Sequence, residues 1–274
     1  MIAVTVPTRI IAVANQKGGV GKTTTTVNLG TALADLGRRV LVIDSDPQAS
    51  ATSGLGVDRD PDRLSVYDVV VLGRPLAEVR VPTAIPNLHL VPSDIALAGS
   101  EIELVGLPRR EHRLRYALDA YDEGDDYVLI DCPPSLALLT VNAVVAAHSL
   151  LVPLQCEYYA LEGLRLLTHT MELLRRELNP SLELEGIVLT LFDPRLTLAT
   201  QVVEQVRRRF AADTLDTVIP RNVRLSEAPS HGLPISRYDP GCRGALAYGE
   251  LATELDGRVR ARMSAGDVPT GARA

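Results

Sequence analysis

The sequence predicts an α/β fold, a mostly parallel twisted sheet with helices on both faces, on three observations. Short aliphatic runs alternate with stretches of helical periodicity. Two of those runs end in a carboxylate, and a third enters a glycine-rich loop. The composition is aliphatic: 46% of the 274 residues are hydrophobic, only 4% are aromatic, and tryptophan is absent. Strand–helix alternation implies right-handed crossovers between parallel strands. A sheet covered on both faces is built from Val, Leu and Ile.

The elements follow in order. Ile10–Ala14 reads as a strand that runs straight into the loop. Lys22–Leu36 carries Val27, Leu29, Leu33 and Leu36 at mostly helical spacing and stops at Gly37. Arg39–Asp44, Leu88–Val91 and Tyr127–Asp131 are further strands, followed by Leu150–Leu154, Ile187–Leu191 and, more weakly patterned, Thr217–Ile219. Helical patterns occupy Leu136–Ala147, Leu161–Leu178, Thr200–Phe210 and Ala245–Met263. Gly54–Pro86 reads as a Pro-rich loop with a short helix at Leu64–Val71. Residues 1–263 are expected to form one domain, and 264–274, small and polar, a disordered tail. Ligands of such sheets sit beyond the carboxyl ends of the strands, where the loop, Asp44 and Asp131 all fall.

Composition narrows the function. A net charge of −6 argues against a chain that is basic all over, leaving a local patch as the route to nucleic acid. Cys132, Cys156 and Cys242 are far apart, which predicts reduced thiols rather than a disulfide framework or a zinc site. No segment reads as a signal peptide and no run approaches the ~20 apolar residues of a membrane span, so a cytoplasmic protein is expected.

The loop Lys17-Gly18-Gly19-Val20-Gly21-Lys22-Thr23-Thr24 carries the chemistry. It ends as a phosphate loop does, in Gly-Lys-Thr, but Gln16 stands where the first glycine of Gly-x-x-x-x-Gly-Lys-Ser/Thr would fall. Glycines let backbone amides converge on an anion, and the helix that starts near Lys22 adds its positive end. Lys22 is placed to reach the β- and γ-phosphates of a nucleotide, and the Thr23 hydroxyl to bind Mg²⁺.

This stretch resembles the deviant Walker A motif of the ParA/MinD group of P-loop NTPases. The resemblance implies an ATPase with ATP and Mg²⁺ as cofactors, in which Lys17 crosses a dimer interface to the nucleotide of the other subunit. Asp44-Ser-Asp46-Pro-Gln48 resembles the group's switch element, which implies that Asp46 positions the attacking water and contributes to the metal site, with Asp44 as its structural partner. Asp131-Cys-Pro-Pro-Ser135 resembles the Walker B element, which implies that Asp131 holds Mg²⁺ through water; Cys132 is expected only to pack. Thr190–Asp193 and Ile219–Asn222 resemble the adenine-side segments, which implies contacts from Asp193, Pro220 and Asn222.

Within the group, Asn15-Gln-Lys-Gly-Gly, Asp46-Pro-Gln-Ala, Gln155-Cys-Glu-Tyr-Tyr-Ala-Leu-Glu-Gly163 and Pro220–Ser230 resemble the chromosomal Soj form of the partitioning branch. The likeness runs from about Ile10 to Met263, and no extra N-terminal DNA-binding domain is expected. The Leu251, Leu255, Val259, Met263 stripe is expected to pack on the body, which sets the chain apart from membrane-bound MinD. The resemblance implies an ATP-dependent homodimer, nonspecific double-stranded DNA as ligand, a ParB-type partner that stimulates hydrolysis, and a nucleoid-associated protein that needs no membrane. Chromosome or plasmid DNA is the implied cargo; a MinD-like positioning ATPase or one that places another cargo is the alternative. DNA contacts are sought in the arginines of the C-terminal third, foremost Arg195, Arg221, Arg224 and Arg258. Arg207–Arg209 reads equally well as a solvated helix face.

Overall fold

A computed structural model of the chain describes residues 7–60, 62–158 and 160–264. Strand β1 (Arg9–Val13) leads through the glycine loop into α1 (Lys22–Asp35) and on to β2 (Val40–Asp44). Three short helices follow, α2 (Ser50–Gly54), α3 (Val66–Val70) and α4 (Leu76–Val79), then β3 (Val81–Pro82) and β4 (Leu88–Val91). Helices α5 (Leu97–Val105) and α6 (Arg113–Asp119) precede β5 (Tyr127–Asp131). The remainder alternates as α7 (Leu138–Ala146), β6 (Ser149–Gln155), α8 (Ala160–Glu177), β7 (Glu183–Phe192), α9 (Thr197–Arg209) and β8 (Thr214–Pro220). It closes with α10 (Arg224–Glu227), α11 (Ile235–Tyr238) and α12 (Arg243–Ser264).

The strands form one sheet in the order β3-β4-β2-β5-β1-β6-β7-β8. Every neighbouring pair is parallel except β3 with β4. The predicted α/β fold, a mostly parallel sheet of the P-loop NTPase type, is therefore the one observed. Its strands alternate between two cores. Ala12, Leu41, Ile43, Val128, Ile130 and Val152 pack on the side of α3, α5, α6, α7 and α9. Ile11, Val13, Val40, Val42, Leu129 and Leu151 pack on the side of α1 and α12. Period-2 alternation of fully apolar strands is what covering on both faces produces. Helix α1 lies so close to the sheet that a Cβ on Gly30 would come 3.2 Å from Val42 Cγ2. The stripe Leu251, Leu255 and Val259 of α12 is buried, with Met263 packed against the same core, as expected.

Several boundaries differ from the sequence reading. β7 begins at Glu183 rather than Ile187, because Leu184 pairs with Leu150 and Glu185 takes the buried Arg9 as ion partner. β8 spans Thr214–Pro220 rather than Thr217–Ile219; its exposed Asp216 breaks the apolar run that marks a buried strand. Helices α5 and α6 fall outside the elements expected from the sequence. In α5, Leu97 and Leu104 are buried while Ile102 and Val105 are exposed, so apolar residues on both sides blur the helical period. The short helix predicted at Leu64–Val71 narrows to Val66–Val70, started by a capping box between Ser65 and Asp68. Of the tail expected to be disordered, residues 265–274 lie outside the described residues.

Candidate nucleotide site

Register brings the loop and both carboxylates together. Val13 and Asp44 are each the Cα partner of Asp131, so the ends of β1, β2 and β5 lie side by side. Gly19 and Gly21 have φ of 74° and 90°, a backbone that favours glycine. An added Cβ would meet nothing at Gly19 and only Thr190 Cγ2, at 3.9 Å, at Gly21. The demand is thus for conformation, not for space. Gly21 precedes α1, and no side chain caps that helix. An uncapped fourteen-residue helix whose amides open on a glycine loop is a ready anion site. The departure from the usual loop pattern has a local reason: Gln16 Nε2 donates to Thr170 Oγ1 at 3.2 Å, tying the loop to α8. On the other side Thr190 Oγ1 donates to Val20 O at 2.8 Å.

Lys22 is buried, and its Nζ donates to Lys17 O at 3.2 Å. Burial lowers its pKa, with Asp131 and Asp46 pulling the other way. Thr23 Oγ1 donates to Asp131 Oδ2 at 2.8 Å and Thr26 Oγ1 to Asp131 Oδ1 at 3.0 Å. Asp44 is equally buried; it accepts from the Thr52 amide at 2.8 Å, from Thr52 Oγ1 at 2.7 Å and from the Asp46 amide at 3.2 Å. Burial raises the pKa of both carboxyls, and Asp44 next to Asp131 raises Asp131 further. Two buried carboxyls beside a buried ammonium and a threonine hydroxyl are a donor set that fits a divalent cation and a phosphate chain.

Asp46 caps its own turn, accepting from the Gln48 amide at 2.9 Å, and lines the cavity. That turn ends at Ala49, held at φ 53°. Leu191, on the opposite wall, has the same φ of 53°. Left-handed backbone at non-glycine residues is costly and concentrates at functional sites.

The cavity holds about 380 Å³. Gly18, Gly19, Gly21, Lys22, Thr23, Thr24, Asp46 and Pro134 line it from the first half of the chain, and Thr190, Leu191, Ile219, Asn222, Leu225, Ser226, Pro229 and Tyr248 from the second. Of the predicted adenine-side residues Asn222 lines the cavity, and Pro220 directly follows Ile219, which also does. Asp193 does not line it. Its carboxylate is gripped by Arg195 at 2.9 and 2.6 Å, which holds its pKa down at about 2. Sequence reasoning missed Leu225, Ser226, Pro229 and Tyr248. Tyr248 lies deep in α12 and shares a 3.2 Å hydrogen bond with Thr25 of α1, a pairing without any local signal.

Lys17 is half-exposed, and its Nζ meets Glu157 Oε2 at 2.7 Å, in the turn between β6 and α8. Its amide donates to Asn15 Oδ1 at 3.0 Å. Cys132 is fully buried, with its thiol pKa pushed up by burial. The four foremost arginines do not form one patch. Arg195 and Arg221 are neighbours at the carboxyl ends of β7 and β8, where the Arg221 amide donates to Phe192 O at 2.8 Å. Arg224 follows on α10, paired with Glu227 at 2.8 Å. Arg258 lies at the other end of β8, against Thr214 O at 3.3 Å and Glu254 at 2.8 Å.

An AAA domain family model matches residues 8–184. The sporulation initiation inhibitor protein Soj of Bacillus subtilis is 53% identical over 247 residues, 90% of this chain and 98% of that protein. The chromosome partitioning protein ParA of Caulobacter vibrioides is 52% identical over 260 residues, 94% of this chain and 97% of that one. Among solved structures, a cobyrinic acid a,c-diamide synthase from Mycobacterium smegmatis with bound ATP analogue and magnesium superposes with a TM-score of 0.82 at 40% identity, covering 92% of this chain and 96% of that chain.

Proposed function

The chain belongs to the ParA/Soj family of chromosome-partitioning ATPases, and on that premise we propose that it is a DNA-partitioning switch driven by ATP and Mg²⁺. The observation that carries the proposal is the convergence of the glycine loop, Lys22, Thr23 and Asp46 on one cavity, with the buried Asp131 bonded to Thr23 behind it. Lys22 neutralises the β- and γ-phosphates, and the loop amides hold them in place. Mg²⁺, when bound, would supply further neutralisation of phosphate charge. The Thr23 hydroxyl would hold the metal, and Asp131, already hydrogen-bonded to that hydroxyl, would keep it oriented for that role. Asp46 orients the attacking water, while the Thr52-anchored Asp44 keeps the turn that carries it in place.

Two chains close face to face over ATP, and Lys17 leaves Glu157 to reach the nucleotide of the other subunit. An exposed pair of this kind holds by only about 0–1 kcal/mol, so its release does not oppose closure. The dimer binds double-stranded DNA without sequence preference through a local basic patch, for which Arg195, Arg221 and Arg224 at the mouth side are better placed than Arg258. A ParB-type partner completes hydrolysis and releases the DNA, which makes the chain a nucleoid-associated protein. Residues 1–263 act as one domain in this scheme.

The deciding experiment compares DNA affinity with ATP, with ADP and without nucleotide. Tight, salt-sensitive binding with ATP alone is expected; equal affinity with ADP and ATP would overturn the switch.

A further inference from the structure

Two glycines from distant segments meet backbone to backbone beside the nucleotide cavity. Gly56, just past α2, has φ 73°, and a Cβ there would stand 2.8 Å from Gly232 O. Gly232, which follows the turn Ala228–His231, has φ 64°, and its Cβ would stand 3.2 Å from Gly56 Cα and 3.5 Å from Ser53 O. A side chain at Gly56 forces the two segments apart, because the atom it meets is backbone and has no rotamer to change. Behind the contact Ala51, Leu55, Leu225, Ala228 and Ile235 are buried in one core, and close-packed groups pass a displacement on rather than absorb it.

Each glycine is bonded to a different part of the cavity lining. From Asp46 a ladder of backbone bonds runs to Gly56: the Ala49 amide donates to Asp46 O at 2.9 Å, the Ser53 amide to Ala49 O at 3.1 Å and the Gly56 amide to Ser53 O at 3.0 Å. Asp44 holds the middle of that ladder through the Thr52 amide and hydroxyl, at 2.8 and 2.7 Å. On the other side the Gly232 amide donates to Pro229 O at 3.1 Å, and Pro229 lines the cavity with Leu225 and Ser226. The same segment is fastened to the phosphate loop, since the Ile235 amide donates to Asn28 Oδ1 at 2.7 Å and Asn28 Nδ2 to Thr24 O at 2.7 Å.

We propose that the Gly56–Gly232 contact carries occupancy of the base side of the cavity to the Asp46 turn, which makes the two glycines positioning residues for hydrolysis. A base seated against Leu225, Ser226 and Pro229 fixes Gly232, and through Gly56 and α2 it fixes where Asp46 stands. Contacts remote from the reacting phosphate are then used to set the reacting geometry, so their loss lowers kcat and not affinity alone. The inference rests on the ATP site and the Asp46 role given above.

The test uses adenosine, which carries the base but no phosphate, and follows hydrogen exchange along the full chain. In the parent, saturating adenosine should slow exchange at residues 222–232 and also at 50–56, which it does not touch. Gly56→Ala should keep the first effect and lose the second. The same variant should lose about tenfold or more in kcat for MgATP, with ADP affinity within about threefold of the parent. Gly232→Ala, whose Cβ meets Gly56 Cα at 3.2 Å rather than an oxygen at 2.8 Å, should show the same pattern more mildly and serves if Gly56→Ala does not fold. Gly37→Ala is the control: its φ of 81° imposes the same backbone strain, but its Cβ meets nothing within 4 Å, so it should behave as the parent. Adenosine protection confined to 222–232 in the parent overturns the coupling. So does a Gly56→Ala variant with unchanged kcat, or a Gly37→Ala variant that loses as much as Gly56→Ala. Adenosine that leaves 222–232 unprotected while ADP protects the phosphate loop overturns it as well, by removing the base from that side. ADP that protects neither segment would instead refute the ATP site itself.

Discussion

Lys22 and Asp46 stand within one cavity but face different tasks, and their substitution should separate those tasks. Lys22 is the buried cation beside the loop, so Lys22→Ala removes the charge that the proposed mechanism sets against the phosphates. Turnover should fall about 10²-fold or more, with ATP binding weakened, as read by single-turnover hydrolysis and nucleotide titration. The Asp46 carboxylate accepts a hydrogen bond from its own turn, at the Gln48 amide, and acts on Lys22 only through its charge. Asp46→Ala should therefore lose about 10²–10⁴-fold in turnover while keeping ATP-dependent DNA binding. Normal hydrolysis by that variant would move the water-positioning role elsewhere. That both residues line the cavity was legible in the sequence because each sits in a run whose neighbours are also constrained: glycines at positive φ before Lys22, Pro47 after Asp46. Asp193 was not: its carboxylate is spent on Arg195, a side-chain contact that no spacing rule fixes.

Among the elements, α12 does more than close the chain. Its Leu251, Leu255 and Val259 fill the core under α1, and Tyr248 reaches Thr25 in the turn that follows the phosphate loop. Leu255→Ala leaves a cavity in that seam and should cost about 2–5 kcal/mol in urea unfolding. A loss much below that range would mean that the site collapses readily around the smaller side chain. The stripe of α12 was readable as a packing face because its opposite side is polar, whereas α5 was missed because both of its sides are apolar. Periodicity reports a helix only where burial and exposure differ in chemistry.

Across the whole molecule, the end of the sheet opposite the cavity is held by a charged network. Arg9, almost fully buried, donates to Glu185 and Glu183 at 2.8 Å each; Ser149 and Arg262 also meet Glu185, at 2.6 and 3.1 Å. His148 joins this end, its Nδ1 accepting from the Ile10 amide at 3.2 Å. Burial, then Arg9 and Arg115, push its pKa down to about 4. The native state thus keeps His148 neutral while the unfolded chain protonates it below about pH 6.5. The unfolded state binds more protons in that window, so stability from this group is full above it and is lost as pH falls towards 4. The loss should approach about 2 kcal/mol, and His148→Gln should show a flatter decline in urea midpoint between pH 6.5 and 4.5. Equal declines in the two proteins would refute the assignment.

The sequence by itself determined the sheet, the phosphate loop and the two strand-end carboxylates. Each depends on a backbone or periodic requirement met within a few neighbouring residues: glycine at positive φ, aliphatic runs, a carboxylate where a strand ends. Tertiary structure alone decided the second wall of the cavity, the Lys17–Glu157 pair, the scattering of the arginines between two ends of β8 and the exposed stripe of α5. These arise where segments far apart in the chain meet. What a side chain touches there is set by the packing of the whole sheet and its helices, which local spacing does not encode.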